Sequence, residues 1–289
     1  MTILLGGEQP AANIRNNLQA EIKKLKADGI TPKLAIVLVA NNPTENSYVK
    51  NKLKIASRLG LEAELISFDE DCSQEQVVNT ILKLNQDKSV NGIICQLPLP
   101  KQIDSLQIAK SIDPLKDVDC LNPDNLGRLA LGSAELTPCT PSGILELLKH
   151  YQLDLKGKGL LIIGRSNIVG KPLALMALNP AISATVTIAH SKTKNLDKLL
   201  ELAQVIVVAV GKPHFLSAQK LRPDAIIIDV GINRISKAGH KKLVGDVDYN
   251  QVKARVKAIS PVPGGVGLLT VSMLMRNLVL ATRAQNRDI

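Results

Sequence analysis

The 289-residue sequence contains very few aromatic residues: no Trp, three Tyr and two Phe, together 2% of the chain. Its core must therefore be built from aliphatic side chains. Proteins that bind single-stranded nucleic acids stack bases on aromatic rings, so this scarcity argues against that class although the net charge is +10. Two explanations of the basic charge stay open: an anionic substrate or phosphorylated cofactor, or a lysine-rich surface without a particular partner.

Paired cysteines and long apolar runs are also missing. The four cysteines, Cys72, Cys95, Cys120 and Cys139, form no CxxC pair, and the four histidines are scattered. We therefore expect neither a disulfide framework nor a metal site. The apolar runs are shorter than the roughly 20 residues that cross a bilayer, and the first residues lack the basic region and apolar stretch of a signal peptide. We expect a cytoplasmic protein that binds neither a membrane nor nucleic acid.

Aliphatic runs of strand length alternate with helical patterns from residue 33 onward. The runs "KLAIVLVA", "EAELISF" and "GIICQL" predict three strands. A helix is predicted over residues 44–59, and a second helix is opened by the capping pair Ser73 and Gln76. Buried strands joined by helices indicate parallel β/α units, so the predicted fold class is α/β.

A second β/α series follows a break at Pro138 and Pro141 and a predicted helix that begins near Ser142. Its strands are predicted at "GLLIIG", "ATVTIAH", "VIVVAVG" and "AIIIDVGIN". We expect two domains, residues 1–140 and residues 141–269. A last helix, within residues 270–289, is expected to pack back on the first domain.

One strand–turn–helix segment carries a candidate anion site. The segment "LLIIGRSNIVGKPLALMAL" runs from an apolar strand into Gly164, and a helix is predicted to begin near Val169–Gly170. Such a turn points backbone N–H groups and a helix dipole at an anion. Its pattern, G-x-S-x-x-x-G, departs from the dinucleotide fingerprint G-x-G-x-x-G. The alternative is a doubly wound domain whose turn binds nothing.

The end of the next predicted strand indicates which dinucleotide would bind. In NAD-binding domains an acidic residue at this position bonds the ribose 2′-hydroxyl. Here "TIAHSKT" offers His190, Ser191 and Lys192 and no carboxylate. A hydroxyl and a lysine, together with Arg165 in the preceding turn, suit a 2′-phosphate. The sequence therefore predicts NADP as the cofactor.

The stretch "YVKNK" places Tyr48 and Lys52 four residues apart, on one face of a predicted helix. Taken alone, this pattern is typical of a solvated basic helix face with a half-buried tyrosine. The rest of the chain favours a functional interpretation of the pair.

Nine segments, in order between residues 48 and 267, carry a resemblance to one family. They are "YVKNK", "GIICQLPLP", "KDVD", "TPCTPSG", "GRSNIVGKP", "HSKT", "DVGIN", "VGDV" and "PVPGGVG". The chain resembles the bifunctional methylenetetrahydrofolate dehydrogenase/methenyltetrahydrofolate cyclohydrolase family. The resemblance implies a homodimer, with folate in a cleft between a substrate domain and a Rossmann-like NADP domain. It also implies oxidation of 5,10-methylenetetrahydrofolate with NADP, followed by hydrolysis of the methenyl product to 10-formyltetrahydrofolate.

The resemblance assigns site residues by position. Lys52 falls on the catalytic lysine, and Tyr48 falls on the tyrosine that stacks on folate. Gln96 falls on the glutamine that positions the lysine, and Asp119 falls on the aspartate that holds the pterin. The glycine-rich loop beside the folate corresponds to Pro263, Gly264, Gly265, Val266 and Gly267. The cofactor contacts correspond to Gly164, Arg165, Ser166, Ser191 and Ile232.

These residue types suit the implied chemistry. The methenyl carbon is an electrophile, so its hydration needs proton transfer around a water molecule and neither a metal nor a covalent nucleophile. A free lysine, with a pKa of about 10.4, is a poor base at neutral pH, but desolvation lowers that pKa. Gln96 ends a predicted strand, where open α/β sheets bind ligands. The alternatives are a solvent-facing polar residue for Gln96 and a turn-forming residue for Asp119.

Four positions near the site depart from the family pattern: Ala40, Glu45, Cys120 and Leu268. The family has Gly at the first and third, Ser at the second and Pro at the fourth. A carboxylate at Glu45, one turn before Tyr48, would hold Lys52 protonated, or else would face solvent and complement the helix dipole. Two alternatives to a bifunctional enzyme stay open: a dehydrogenase without cyclohydrolase activity, and a catalytically silent protein that binds NADP or folate.

Overall fold

The computed structural model describes residues 1–39, 43–237 and 240–286, and the chain divides into two compact units. The first unit comprises Asn13–Cys139 and Val271–Ile289, and the second unit comprises Met1–Ala12 and Thr140–Thr270. Each unit has a parallel sheet and an apolar core of its own.

Strands followed by helices recur along the chain, which is the order that parallel sheets require. The α/β class predicted from the sequence is therefore confirmed. In chain order the elements are β1 (Ile3–Leu4), α1 (Glu8–Ala27), β2 (Lys33–Val39), α2 (Pro43–Leu59), β3 (Glu62–Phe68), α3 (Gln74–Gln86), β4 (Gly92–Cys95), α4 (Ser105–Ser111), α5 (Pro123–Ala130), α6 (Cys139–His150), β5 (Gly159–Ile163), α7 (Gly170–Leu178), β6 (Thr185–Ala189), α8 (Leu196–Leu202), β7 (Val205–Val208), β8 (Ile226–Asp229), β9 (Asn233–Lys237), β10 (His240–Val244), α9 (Tyr249–Lys253), β11 (Ala258–Ile259) and α10 (Val266–Gln285).

Strand β2 is the centre of the first unit's sheet. The strand order is β3-β2-β4, with both pairings parallel. Every residue of β2 after Lys33 is buried, because helices cover both faces of a parallel sheet, and this explains the continuous apolar run. The chain leaves β2 for β3 on one side and later returns to β4 on the other. The carboxyl ends of β2 and β4 therefore form a topological switch point, the usual ligand site of such sheets.

Helix α3 begins at the capping box that the sequence predicts. Ser73 Oγ accepts a hydrogen bond from Gln76 N at 3.2 Å, and Gln76 Oε1 accepts one from Ser73 N at 2.8 Å. The buried residues of the helix, Val77, Ile81 and Leu84, recur at helical spacing and so lie on one face. They join the side chains on one face of β2 in an apolar cluster. Full burial of each such aliphatic side chain contributes about 1.5–3 kcal/mol.

Helix α6 begins at Cys139, three residues before the predicted start at Ser142. Its proline, Pro141, lies in the first turn, where the missing N–H has no intrahelical partner to lose. The proline alone predicts a break in the chain, whereas the chain is already helical there.

The second unit contains a six-stranded sheet in the order β1-β11-β8-β7-β5-β6, with every pairing parallel. Strands β7 and β8 are buried throughout. Strand β5 lies between β6 and β7, so the switch point of this sheet falls between the carboxyl ends of β5 and β7. Strands β9 and β10 form a separate antiparallel hairpin, which is absent from the strands predicted above.

The amino-terminal strand corrects the predicted domain boundary. The sequence predicts one domain over residues 1–140, but β1 pairs with β11, Ile3 opposite Ala258 and Leu4 opposite Ile259. Residues 1–12 therefore belong to the second unit. A strand of two residues is too short to give a periodic apolar signal, and its partner lies near the other end of the chain.

Helix α10 is long and apolar enough to cross a membrane, but 67% of its most apolar window is buried inside the protein. Leu274, Leu278 and Ala281 of this helix belong to the core of the first unit, together with Leu18 and Leu34. It is thus a core helix of a soluble protein, because its apolar surface is covered by other side chains of the chain.

Candidate active site

A lysine and a glutamine from different elements are hydrogen-bonded in the first unit. Lys52 Nζ, on α2, donates to Gln96 Oε1 at 2.8 Å. Gln96 directly follows β4, at the switch point. Its backbone N–H donates to Val37 O at 2.8 Å, and its side-chain NH₂ donates to Leu97 O at 2.9 Å. The amide group is therefore held with its oxygen toward the lysine. Both side chains are half-buried.

Tyr48 and Asp119 lie in the same unit. Tyr48 is half-buried on α2, one helical turn before Lys52. Asp119 is half-buried in the loop that precedes α5. Burial, and then the negative charge of Asp119, raise the pKa of the buried thiol of Cys139. The positive charge of Lys52 partly offsets this rise in the pKa of the thiol. The structure thus joins Lys52 to Gln96 directly and brings Lys52 and Asp119 to the surroundings of one cysteine.

Two thiols near these residues, those of Cys120 and Cys139, are buried. Asn277 Nδ2 donates to Cys120 Sγ at 3.7 Å and to Cys139 Sγ at 3.6 Å. Burial, and then the carboxylates of Asp117 and Asp119, raise the pKa of both thiols well above the ordinary value. The thiolate is the reactive form of cysteine, so neither thiol is a candidate nucleophile.

The backbone at Cys120, one of the four departures from the family pattern, explains why the family has glycine at this position. Its φ is 58°, in the left-handed region that favours glycine. A non-glycine residue there costs about 1–2 kcal/mol, and glycine is the residue that the family has at this position. The second described departure, Leu268, is exposed in the first turn of α10. Ala40 and the side chain of Glu45 lie outside the part of the chain that the structure describes.

Asp117, two residues before Asp119, is a buried carboxylate that no pattern in the sequence indicates. Its Oδ2 accepts hydrogen bonds from Asn122 N at 2.8 Å and Asn125 Nδ2 at 3.0 Å. Within the described ranges its Oδ1 has no hydrogen-bond partner. Burial raises the pKa of Asp117 to about 6, although these donors partly offset that effect. A single sequence does not show that a particular carboxyl group is buried.

In the second unit, the turn after β5 has the form of an anion site. Gly164 has a φ of 129°, and a Cβ there would collide with the carbonyl oxygen of Ala209, so the position requires glycine. Val169 N donates to Ser166 Oγ at 3.2 Å, and α7 begins at the next residue. Arg165 and Ser166 are exposed. The turn therefore presents a cationic side chain and a hydroxyl beside the amino terminus of α7.

The turn after β6 lies on the same edge of the sheet. Gly164 N donates to Ala189 O at 2.9 Å, which joins the two turns. Ser191 is exposed in the second turn, which is closed by a hydrogen bond of 2.8 Å from His190 N to Thr193 Oγ1. The structure therefore brings the predicted cofactor residues of both turns to one edge of the sheet.

The remaining predicted residues of this unit lie around the start of α10. The loop Pro263–Gly267 connects β11 to α10, and Gly264 O accepts a hydrogen bond from Gly7 N at 2.7 Å. Ile232 is 42% exposed, and a Cβ placed on Gly267 would lie 3.4 Å from its Cδ1. This loop belongs to the second unit, whereas Lys52 and the other three predicted folate residues belong to the first.

A parallel sheet with a glycine turn at its switch point is typical of a dinucleotide-binding domain. The first unit adds a lysine held at the switch point of a separate α/β sheet. The fold and site are thus those of a two-domain enzyme that uses a dinucleotide.

Comparison with known families agrees with this class and specifies it. Residues 5–119 match the catalytic domain of tetrahydrofolate dehydrogenase/cyclohydrolase, and residues 138–286 match the NAD(P)-binding domain of the same family. The chain belongs to the bifunctional methylenetetrahydrofolate dehydrogenase/cyclohydrolase family, FolD. The resemblance seen in the sequence is confirmed.

Individual relatives cover nearly the whole chain. The bifunctional protein FolD of Acetivibrio thermocellus is 44% identical over 282 residues, which cover 98% of this chain and 97% of that protein. The crystal structure of FolD from Campylobacter jejuni is 42% identical, with a TM-score of 0.93 over 99% of this chain and 100% of that chain. The Trypanosoma brucei enzyme, crystallised with NADP and an inhibitor, is 32% identical, with a TM-score of 0.93 over 99% of each chain.

Proposed function

We propose that the protein catalyses two consecutive reactions of one-carbon metabolism. It oxidises 5,10-methylenetetrahydrofolate with NADP, and it hydrolyses the methenyl product to 10-formyltetrahydrofolate. The observation that carries the proposal is the hydrogen bond of 2.8 Å between Lys52 Nζ and Gln96 Oε1. A lysine fixed in this way, in the unit that matches the family's catalytic domain, supplies a positioned group for proton transfer.

The second unit is proposed to hold NADP, which supplies the hydride acceptor. Backbone N–H groups of the turn at Gly164 and the dipole of α7 suit the pyrophosphate. Arg165 and Ser191 are assigned to the 2′-phosphate, with Ser166 beside them and Ile232 as a further contact. This assignment is supported by the exposure of Arg165 and Ser191 on one sheet edge and by the absence of a carboxylate among residues 190–193.

The first unit is proposed to bind folate and to carry the proton transfer. Hydrolysis adds one water to the cationic methenyl group and releases one proton overall. We assign the acceptance of a proton from the attacking water to Lys52, and the orientation of its nitrogen to Gln96. Asp119 is assigned to the pterin and Tyr48 to stacking on the ring system. The loop Pro263–Gly267 is assigned to the folate as well.

The proposal extends to assembly and location. The family resemblance supports a homodimer in the cytoplasm. Light scattering on the purified protein should give twice the chain mass of 31.1 kDa, and a mass of one chain would contradict the dimer.

The test is an absorbance assay at 340 nm with methylenetetrahydrofolate and NADP, followed by hydrolysis of purified methenyltetrahydrofolate. Reduction of NADP without faster hydrolysis would favour the dehydrogenase-only alternative. Binding of both ligands without either reaction would favour the catalytically silent alternative.

The role of Lys52 is tested with Lys52→Met. We expect loss of measurable cyclohydrolase activity while folate binding stays detectable by calorimetry, because methionine keeps the apolar stem and removes the proton acceptor. Lys50→Met, an exposed lysine of the same helix, is the matched control and should keep both activities. Hydrolysis at the parent rate by Lys52→Met would remove Lys52 from the mechanism.

A further inference from the structure

Two buried carboxylates at the carboxyl edge of the second unit's sheet have no part in the proposed reactions. Asp229 ends β8, and Asp246 lies between β10 and α9. Their exposed fractions are 3% and 0%. A buried carboxylate is costly unless hydrogen bonds compensate for the lost water, so the partners of these two groups indicate what each of them holds.

Asp246 accepts hydrogen bonds from three consecutive backbone N–H groups. Its Oδ2 accepts from Val210 N at 2.6 Å and Gly211 N at 2.9 Å, and its Oδ1 accepts from Lys212 N at 2.8 Å. Gly211 has a left-handed φ of 65°, which lets successive N–H groups converge in the manner of a backbone anion site. The fourth donor is Asn233 Nδ2, at 2.8 Å from Oδ1. The Asp246 carboxylate thus occupies the anion position of the loop Val210–Lys212 and fixes the conformation of that loop.

This loop lies beside the turn to which the proposed function assigns the cofactor. It follows β7, whose neighbour is β5, and Ala209 N donates to Ile163 O at 2.8 Å. The carbonyl of Ala209 is the group that a Cβ on Gly164 would strike. The loop and the turn therefore occupy the two sides of the switch point, where open α/β sheets bind ligands.

The same carboxylates hold both neighbours of Ile232. Asp229 Oδ1 accepts from Gly231 N at 3.1 Å and from Asp246 N at 2.9 Å, and the residue after Ile232 is Asn233, bonded to Asp246. A Cβ on Gly231 would collide with the Asp246 carboxylate. The backbone on each side of Ile232 is therefore tied to one network of buried carboxylates.

We propose that Asp246 is a positioning residue for the dinucleotide site. It holds the loop Val210–Lys212 and the segment around Ile232 in the geometry that binds NADP, without touching the cofactor itself. This inference rests on the proposed NADP-dependent function. A neutral amide could not replace the carboxylate, because four donors converge on its two oxygens and an amide would turn an NH₂ group toward some of them.

The test is Asp246→Asn, with Asp248→Asn as the matched control. The Asp248 carboxylate accepts from Gln251 N at 3.3 Å and Gln251 Nε2 at 2.7 Å, at the start of α9, so its loss perturbs the same segment but not the loop. For Asp246→Asn we expect the KM for NADP to rise at least tenfold, with the same change in the calorimetric Kd. The kcat at saturating NADP should change less than threefold, and hydrolysis of methenyltetrahydrofolate less than twofold. Asp248→Asn should leave all four quantities near the parent values.

The outcomes separate this inference from the proposed function. A parent protein that does not reduce NADP overturns both. A parent that reduces NADP, with an unchanged KM for NADP in Asp246→Asn, overturns the positioning role alone. Equal loss of both activities in a folded Asp246→Asn also overturns it, because the effect would then not be specific to the dinucleotide. If Asp246→Asn does not fold, Asn233→Ser, which removes one donor and keeps the carboxylate, must raise the KM for NADP severalfold, and an unchanged KM overturns the role.

Discussion

Replacing Asp117 by asparagine should remove a pH-dependent cost from the folded protein. The Asp117 side chain is 1% exposed. An asparagine can keep its oxygen toward the two donors, Asn122 N and Asn125 Nδ2, and place its NH₂ at the position of Oδ1, which has no hydrogen-bond partner in the described part of the chain. The shape of the side chain is kept, and the ionisable group disappears.

The magnitude follows from the pKa of the buried carboxyl. Burial raises the pKa of Asp117 to about 6, whereas an unfolded aspartate titrates near 3.9. Between these values the folded protein binds more protons than the unfolded chain, so the stability of the parent falls as the pH rises from about 4 to 6. The difference between the two pKa values corresponds to a loss of about 3 kcal/mol at neutral pH. The asparagine variant does not undergo this loss.

The assay is urea denaturation of parent and variant between pH 4 and pH 8. Subtracting the parent's free energy of unfolding from the variant's cancels the titrations that both proteins share. The difference should rise by about 2–3 kcal/mol from pH 4 to pH 8, on top of a pH-independent cost of about 1–3 kcal/mol for a buried NH₂ without an acceptor. Asp124→Asn, an exposed acid at the start of α5, should change the difference by about 0.5 kcal/mol at most. A flat difference for Asp117→Asn, or one that falls as the pH rises, refutes the reasoning.

Two further predictions concern the cofactor turn and the strained cysteine. Arg165→Ala should raise the KM for NADP roughly 10- to 150-fold and leave the KM for NAD nearly unchanged, because a charge-assisted contact to the 2′-phosphate is worth about 1.5–3 kcal/mol. Lys171→Ala is the matched control, and equal losses of NADP and NAD affinity in Arg165→Ala would contradict the assignment. Cys120→Gly should be more stable to urea than Cys120→Ala by about 1 kcal/mol, because only glycine relieves the left-handed backbone. At Cys139, in the first turn of α6, the order should be reversed, and the same order at both positions would show that backbone conformation does not decide it.

The sequence by itself determines the features that depend on neighbouring residues. The apolar run of β2 is typical of a strand covered on both faces. Ser73 and Gln76 form a capping box because the two side chains are three residues apart on the first turn of a helix. Tyr48 and Lys52 share a helix face for the same geometric reason. The glycine at position 164 was also readable, since a strand that turns sharply into a helix needs a residue without a Cβ.

Tertiary structure decided the contacts between residues that are distant in the chain. The Lys52–Gln96 hydrogen bond spans 44 positions, and nothing in either segment encodes the other. The resemblance to the family named this pair, whereas the spacing of residues did not. Strand β1 was missed because two residues carry no period, and its register against β11 exists only once the second sheet has formed.

The buried carboxylates show most clearly what only the folded chain decides. Asp117, Asp229 and Asp246 are ordinary acidic residues in the sequence, and acidic residues usually face water. Burial raises the pKa of Asp229 to about 7, although hydrogen bonds from three backbone N–H groups act to lower it. Asp246 holds a loop that lies 34–36 residues earlier in the chain. Both effects depend on which groups surround the carboxylate and how much water they exclude, and those are set by the packing of the sheet, the loops and the helices around it.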